Sequence, residues 1–343
     1  MTAGIDAGCV RLRLGVEHGR ISTVDVSSER PAIAPRLRGR PAEDAVRLVP
    51  LLFALCGKAQ GRAAALALAA ARGTECGARI DAAIQAEALR EHLWRWLLDL
   101  PPLLGDVPLR EEFIAAAGWI VEGRRDQLAA LLAGPRVETL CRALLALDDV
   151  TQQEVRLLLP LDAQSSLRAW PSLDAGFCQR PHWQGAAAET GAIARRQGLA
   201  GATSLAFAAR WLARLEELRD WAAGSEKVGA GGTASAASAA SAASAASAAS
   251  GASGASGASG AAGSGRALVE TARGLLMHEI VLDGDRIADY FIVAPTEWNF
   301  HAQGPLAGWL IGRDAGDRAA LEKFAARAVA TLDPCVRWEL VWL

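Results

Sequence analysis

The chain has 343 residues, 51% hydrophobic and 22% charged, which is enough to bury a sizeable core. Its formal net charge of −2 gives no electrostatic case for binding nucleic acid or an anionic membrane surface. The apolar runs are short, and the one from Ala63 to Ala71, bounded by Arg62 and Arg72, cannot span a bilayer. No basic flank followed by an apolar run opens the N-terminus, so no signal peptide is expected. The six cysteines (9, 56, 76, 141, 178, 335) include no CxxC pair, so the expectation is reduced thiols in a cytoplasmic protein.

Taken in order, residues 9–26 alternate apolar with polar around His18-Gly19 and predict a β-hairpin. A basic, Pro-rich connector spans Pro31 to Pro41. Glu43-Asp44 then open a short helix that Pro50 is expected to interrupt, and Leu51 to Arg72 reads as a long Ala/Leu helix ended by Gly73. Cys56-Gly57-Lys58-Ala59-Gln60-Gly61 falls inside that run. Glycines in a helix are unfavourable by roughly 1 kcal/mol each relative to Ala, so they point to a close backbone approach. Ile80 to Leu100 is amphipathic and expected to stop at Pro101-Pro102. Helices follow at Leu109–Val121, Arg124–Ala133, Val137–Leu147 and Thr203–Ala222, with strand and loop at about 150–175.

Gly224 to Gly265 is nearly all Ser, Ala and Gly in tandem repeats and predicts a flexible linker, since it has no side chains to offset the entropy of ordering. Leu275–Leu282 and Arg286–Val293 around Asp283-Gly284-Asp285 predict a second hairpin. Pro295-Thr296-Glu297-Trp298-Asn299 reads as a structured loop, and Asp317–Ala330 as a last helix leading to Asp333-Pro334-Cys335. The ending Leu-Val-Trp-Leu is expected to be buried and to carry Cys335 inward. The expected class is α+β, a mainly helical core with two β-hairpins. Residues 1–223 and 266–343 build one domain around a 224–265 linker insertion.

Five pieces in this order resemble the large subunit of nickel–iron hydrogenases, in shortened form. Gly39-Arg40-Pro41 through Cys56-Gly57 resembles the run into the family's first CGxC motif. Glu189-Thr190-Gly191-Ala192 with Ala194-Arg195, and Glu270-Thr271-Ala272-Arg273-Gly274 with His278, resemble two internal motifs. Pro295-Thr296-Glu297-Trp298-Asn299 resembles the loop lining the cyanide- and carbonyl-bearing iron, and Asp333-Pro334-Cys335 the start of a terminal DPCxxCxxH motif. The likeness covers roughly residues 5–105, 176–222 and 266–343.

The departures are chemical. Ala59 and Trp338 stand where the family has its second cysteines, which bridge nickel and iron, and Val341 where it has a histidine. The family's overhanging arginine falls near Gln303, its preceding proline near Ala302, and a proton-transfer glutamate near Ala7, beside Asp6. Two thiolates cannot hold the dimetal centre in that manner, so no enzyme activity and no nickel are expected. This combination resembles the HupK/HoxV group of maturation proteins. The resemblance implies a non-enzymatic scaffold that holds iron carrying cyanide and carbonyl through Cys56 and Cys335. It further implies that the unit comes from an iron-carrying maturation chaperone complex and passes to the hydrogenase large-subunit precursor. The alternative is a metal-free docking protein with the large-subunit shape.

The residues themselves leave choices open. Cys56 and Cys335 are either ligands, which requires sulfurs within ~4 Å for metal–sulfur bonds of ~2.3 Å, or two inert buried thiols. Lys58 either lowers the Cys56 pKa or is solvated. Asp333 is a partner beside the metal or a cap. Pro295, Thr296 and Asn299 face the iron's ligands or serve the loop's own backbone. Arg273 pairs with Glu270 or Glu189, buried or at the surface. Glu91 and His92 read as a solvated acid and a core-edge histidine. Cys9, Cys76, Cys141 and Cys178 read as structural, and Trp338 and Trp342 as plugs of the nickel pocket.

Overall fold

The computed structural model describes residues 8–53, 55–74, 82–147, 155–160, 170–171, 173–200, 207–225 and 263–343. Cys76, Asp6, Ala7, most of the 150–175 segment and the linker from 226 to 262 lie outside the described residues. The class is the expected mixture of helices with small sheets.

Strands β1 (Cys9–Glu17) and β2 (Arg20–Glu29) form the first hairpin, with His18 and Gly19 at positive φ in the turn. It is not a lone hairpin, because β6 (Arg337–Trp342) pairs parallel to β1, Cys9 opposite Arg337 and Leu14 opposite Trp342. The C-terminus is therefore a half-buried edge strand rather than a buried plug: Val341 is 37% and Leu343 71% exposed. Its alternation explains this. Trp338, Leu340 and Trp342 pack against the core of β1, β2 and the Arg318–Leu332 helix, while Arg337, Glu339 and Val341 occupy the intervening positions.

The second sheet also has three strands. β4 (Gly274–Asp283) lies between β5 (Arg286–Val293) and a strand that sequence reading missed, β3 (Ser264–Thr271). Helices α1 (Glu43–Leu52) and α2 (Gly57–Ala71) cover this sheet. Pro50 lies inside α1 without interrupting it, because in the last turn it removes only one backbone donor. Helix α1 ends at Leu52 and α2 begins at Gly57, so the run holds two helices and Cys56 stands at the N-cap of the second. The glycines are where these helices press together. A Cβ on Gly57 would meet the Pro50 carbonyl oxygen at 2.8 Å, and one on Gly61 the Pro50 ring at 3.3 Å.

Helix α3 (Ala82–Trp94) passes through a π turn, Arg95–Asp99, and on through both prolines to Leu103. Pro101 offers no amide to the Leu97 carbonyl, and the Leu109 amide takes its place at 2.7 Å. The helices Arg110–Glu122, Arg125–Leu132 and Pro135–Leu145 match expectation and pack with α3 and the Phe207–Ala222 helix in one core. Among the described residues no helix is long and apolar enough to cross a membrane.

Candidate functional site

Cys56 and Cys335 come from opposite ends of the chain and line one small cavity of about 20 Å³. Arg30, Glu87, Glu91, Arg273, Pro295 and Thr296 share its wall. A groove of about 890 Å³ reaches the same two cysteines from outside, between Leu51, Leu52, Trp94 and Trp338. The inner cavity has room for about one water, so any bulkier group must sit where cavity and groove meet.

Each thiol has its own polar partner. The Thr296 hydroxyl lies 3.1 Å from the Cys335 sulfur and accepts the Cys335 amide at 3.3 Å. The Gln60 carboxamide nitrogen donates to the Cys56 sulfur at 3.7 Å. Cys56 also sits at the N-terminus of α2, where the helix dipole favours negative charge. Burial outweighs this and, with Cys335 adding to it, pushes the Cys56 thiol up to about 12; Arg273 and Gln60 act the other way. The Lys58 side chain lies at the surface, and the amides of Lys58 and Ala59 are capped by the Glu87 carboxylate at 2.8 and 3.2 Å.

Asp333 ends the Arg318–Leu332 helix in left-handed geometry, φ 56°, and turns the chain towards Cys335. It is 1% exposed and ion-paired to Arg95 at 2.7 Å and Arg273 at 3.1 Å. It is thus cap and charge partner at once, and the arginines hold its carboxyl below the usual range against its burial. Arg273 also pairs with Glu91 at 2.9 Å. The expected Arg273 partners are engaged elsewhere: Glu270 with Arg195, and Glu189 with Arg210. Glu91 is not solvated but 3% exposed, and His92, at 0%, is fully inside, bonded to Glu217 at 2.8 Å.

Asn299 does not line the cavity. It accepts the Thr190 amide at 2.9 Å and donates to the Arg273 carbonyl at 3.0 Å, so it clamps two of the motifs together. That contact needs glycine on both sides: Gly191 and Gly274 have φ of 108° and 126°, and a Cβ on Gly274 would lie 1.6 Å from the Thr190 hydroxyl oxygen. Of the residues expected at the site, Cys56, Cys335, Pro295, Thr296 and Arg273 line the cavity, while Asp333 and Asn299 stand behind it.

Sequence reading missed Arg30. It follows β2, pairs with Glu297 at 3.2 Å, and lines the cavity beside both cysteines. Gln303, where the resemblance puts the family's arginine, bonds through its amide to His301 on an exposed turn. A charged residue closing a strand gives no sequence signal of its own. Trp338 does line the groove, but Trp342 turns away to Glu322 and the Arg318 guanidinium.

Two soft thiols at the end of a groove, each facing a hydrogen-bond donor, suit one thiophilic metal whose other positions stay open.

No family model matches the chain. The structure is similar to the NiFeSe hydrogenase of Desulfovibrio vulgaris Hildenborough, with a TM-score of 0.65 and 18% identity over 93% of this chain and 94% of that one. That of Desulfomicrobium baculatum gives 0.60 and 15% over 94% and 95%. These show the hydrogenase large-subunit fold. The hydrogenase expression/formation protein HupK of Rhizobium leguminosarum bv. viciae is 31% identical over 99% of this chain and 98% of its own length. HoxV of Cupriavidus necator is 31% identical over 91% of each, and HupK of Azotobacter vinelandii 32% over 97% and 98%. On sequence and fold together, the chain belongs to the HupK/HoxV family of hydrogenase expression/formation proteins, maturation proteins built on the hydrogenase large-subunit fold.

Proposed function

We propose that this protein is a non-enzymatic scaffold that takes an iron unit carrying cyanide and carbonyl as cargo. It holds the unit between Cys56 and Cys335 and passes it to the hydrogenase large-subunit precursor. The observation that supports this reading is that both cysteines line one cavity at the foot of a groove. Two protein ligands favour release, because fewer metal–protein bonds must break on transfer. Thiolates suit low-spin iron with strong-field ligands, and the Arg30 guanidinium, on the cavity wall, offers hydrogen bonds to anionic ligands on the metal.

The donor in this reading is an iron-carrying maturation chaperone complex, which must approach through the groove. Incubating the protein with that loaded chaperone should move the cyanide infrared bands onto it. No transfer under any condition sinks the proposal.

A second reading, a metal-free docking protein, draws support from the groove's rim, where Leu51 is 77% and Trp94 42% exposed. It predicts that joint Cys56→Ala and Cys335→Ala substitution leaves hydrogenase maturation intact, whereas the cargo reading predicts its loss.

A further inference from the structure

Behind Cys56 runs a line of polar side chains that no part of the proposed hand-over uses. Gln60 reaches the Cys56 sulfur, its carboxamide oxygen lies 2.9 Å from His278 Nε2, and His278 Nδ1 lies 2.7 Å from the Tyr290 hydroxyl. Gln60, His278 and Tyr290 are each 0% exposed. They come from three elements, α2, β4 and β5, so the line is built by the fold rather than by neighbouring residues.

The chemistry of each group sets a direction. With its nitrogen on the sulfur, Gln60 has only an oxygen left for the histidine, and an amide oxygen only accepts. His278 Nε2 must therefore carry the proton. The imidazole is neutral, since burial pushes its pKa down to about 3, so Nδ1 is a bare acceptor. The Tyr290 hydroxyl then donates to it. Every hydrogen in the line points towards Cys56. An amide passes no proton without becoming an imidic acid, so the line orients and does not conduct.

We infer that Tyr290, His278 and Gln60 form a one-way donor chain that presents a fixed N–H to the Cys56 sulfur, making His278 and Tyr290 positioning residues for metal capture although neither lines the thiol cavity. The inference rests on the reading of Cys56 as a ligand. Its physical basis is that a sulfur bonded to a metal carries negative charge and accepts hydrogen bonds well, so a donor fixed by its own partners needs no reordering when metal arrives.

Cadmium(II), a thiophilic ion, serves as the probe on the full chain. Gln60→Leu and His278→Phe should weaken cadmium binding about tenfold or more, the range seen when groups that orient metal ligands are lost. Tyr290→Phe should weaken it less, and His278→Gln, which keeps a donor facing Gln60, should retain most of the affinity. Independently of any variant's folding, nitrogen-15 histidine spectra of the cadmium-loaded protein should show His278 protonated at Nε2. Cys56→Ala identifies the part of cadmium binding that depends on this thiol. Cadmium bound through Cys56 with equal strength in all variants, or His278 protonated at Nδ1, overturns the donor chain alone. No Cys56-dependent cadmium binding in the unaltered protein overturns the ligand reading itself, and the inference with it.

Discussion

The Thr296 hydroxyl and the Cys335 sulfur lie 3.1 Å apart, and the Cys335 amide closes back on the same oxygen at 3.3 Å. Because that oxygen already accepts the amide, its hydrogen is free to donate to the sulfur. Thr296→Val removes this donor with almost no change in volume. We expect it to weaken thiophilic-metal binding by about tenfold, with Thr296→Ser close to the unaltered protein. A cadmium titration checks this; equal affinities for all three would show that the hydroxyl serves the turn only.

Asp333 holds two arginines, the half-buried Arg95 and the buried Arg273, at the turn that aims Cys335. Asp333→Asn keeps the shape and tolerates φ 56°, but removes the charge. Taking one partner from a buried ion cluster costs about 3–5 kcal/mol, and the retained Arg273–Glu91 pair places the loss near the lower figure. Urea unfolding measures it. A loss under about 1 kcal/mol, the value of an exposed pair, would mean that the cluster is solvated.

Gly274 admits no side chain, since its φ is 126° and a Cβ would meet the Thr190 hydroxyl oxygen at 1.6 Å. Gly274→Ala should therefore break the Thr190–Gly191 contact with the Arg273 turn. The expected result is a cost above about 4 kcal/mol, in the range of strain at special backbone positions, read as rapid proteolysis or loss of the folding transition. Gly284→Ala makes a control at an open turn, φ 57° with nothing within 4 Å, and should cost only about 1 kcal/mol.

His278 makes stability depend on pH in a defined sense. Burial holds its folded pKa at about 3 against the 6.5 of a free imidazole. Between those values the unfolded chain carries the proton and the folded one does not, so acidification favours unfolding. The stabilisation is present above about pH 6.5 and is lost as pH falls towards 3, at up to about 1.4 kcal/mol per pH unit. Denaturant midpoints across this range should fall less steeply for His278→Gln. His92, whose pKa burial also lowers, acts with the same sign in both proteins.

Most helices and both hairpin turns were legible in the sequence, because their apolar spacing and turn residues are local. What was not legible came from partners distant in sequence. The alternation of Trp338, Leu340 and Trp342 signals a strand, yet only β1 could turn that ending into a sheet edge. The prolines at 101 and 102 read as a stop, but Leu109 supplies the missing donor and the helix runs on. Cys56 and Cys335 were visible through their motifs. Arg30 was not, since nothing local distinguishes an arginine at a strand's end from a solvated one. Arg273 shows the same limit: its motif was recognised, but its partners, Glu91 and Asp333, belong to segments 182 and 60 residues away.

The central claim is that Cys56 and Cys335 hold an iron unit as cargo. Infrared spectroscopy of protein purified without oxygen from its own host, unaltered beside Cys56→Ala, tests it most directly. Cyanide and carbonyl stretching bands in the unaltered protein, lost in Cys56→Ala, are the predicted result. Absence of bands from both, in cells whose iron-carrying chaperones are loaded, would contradict it.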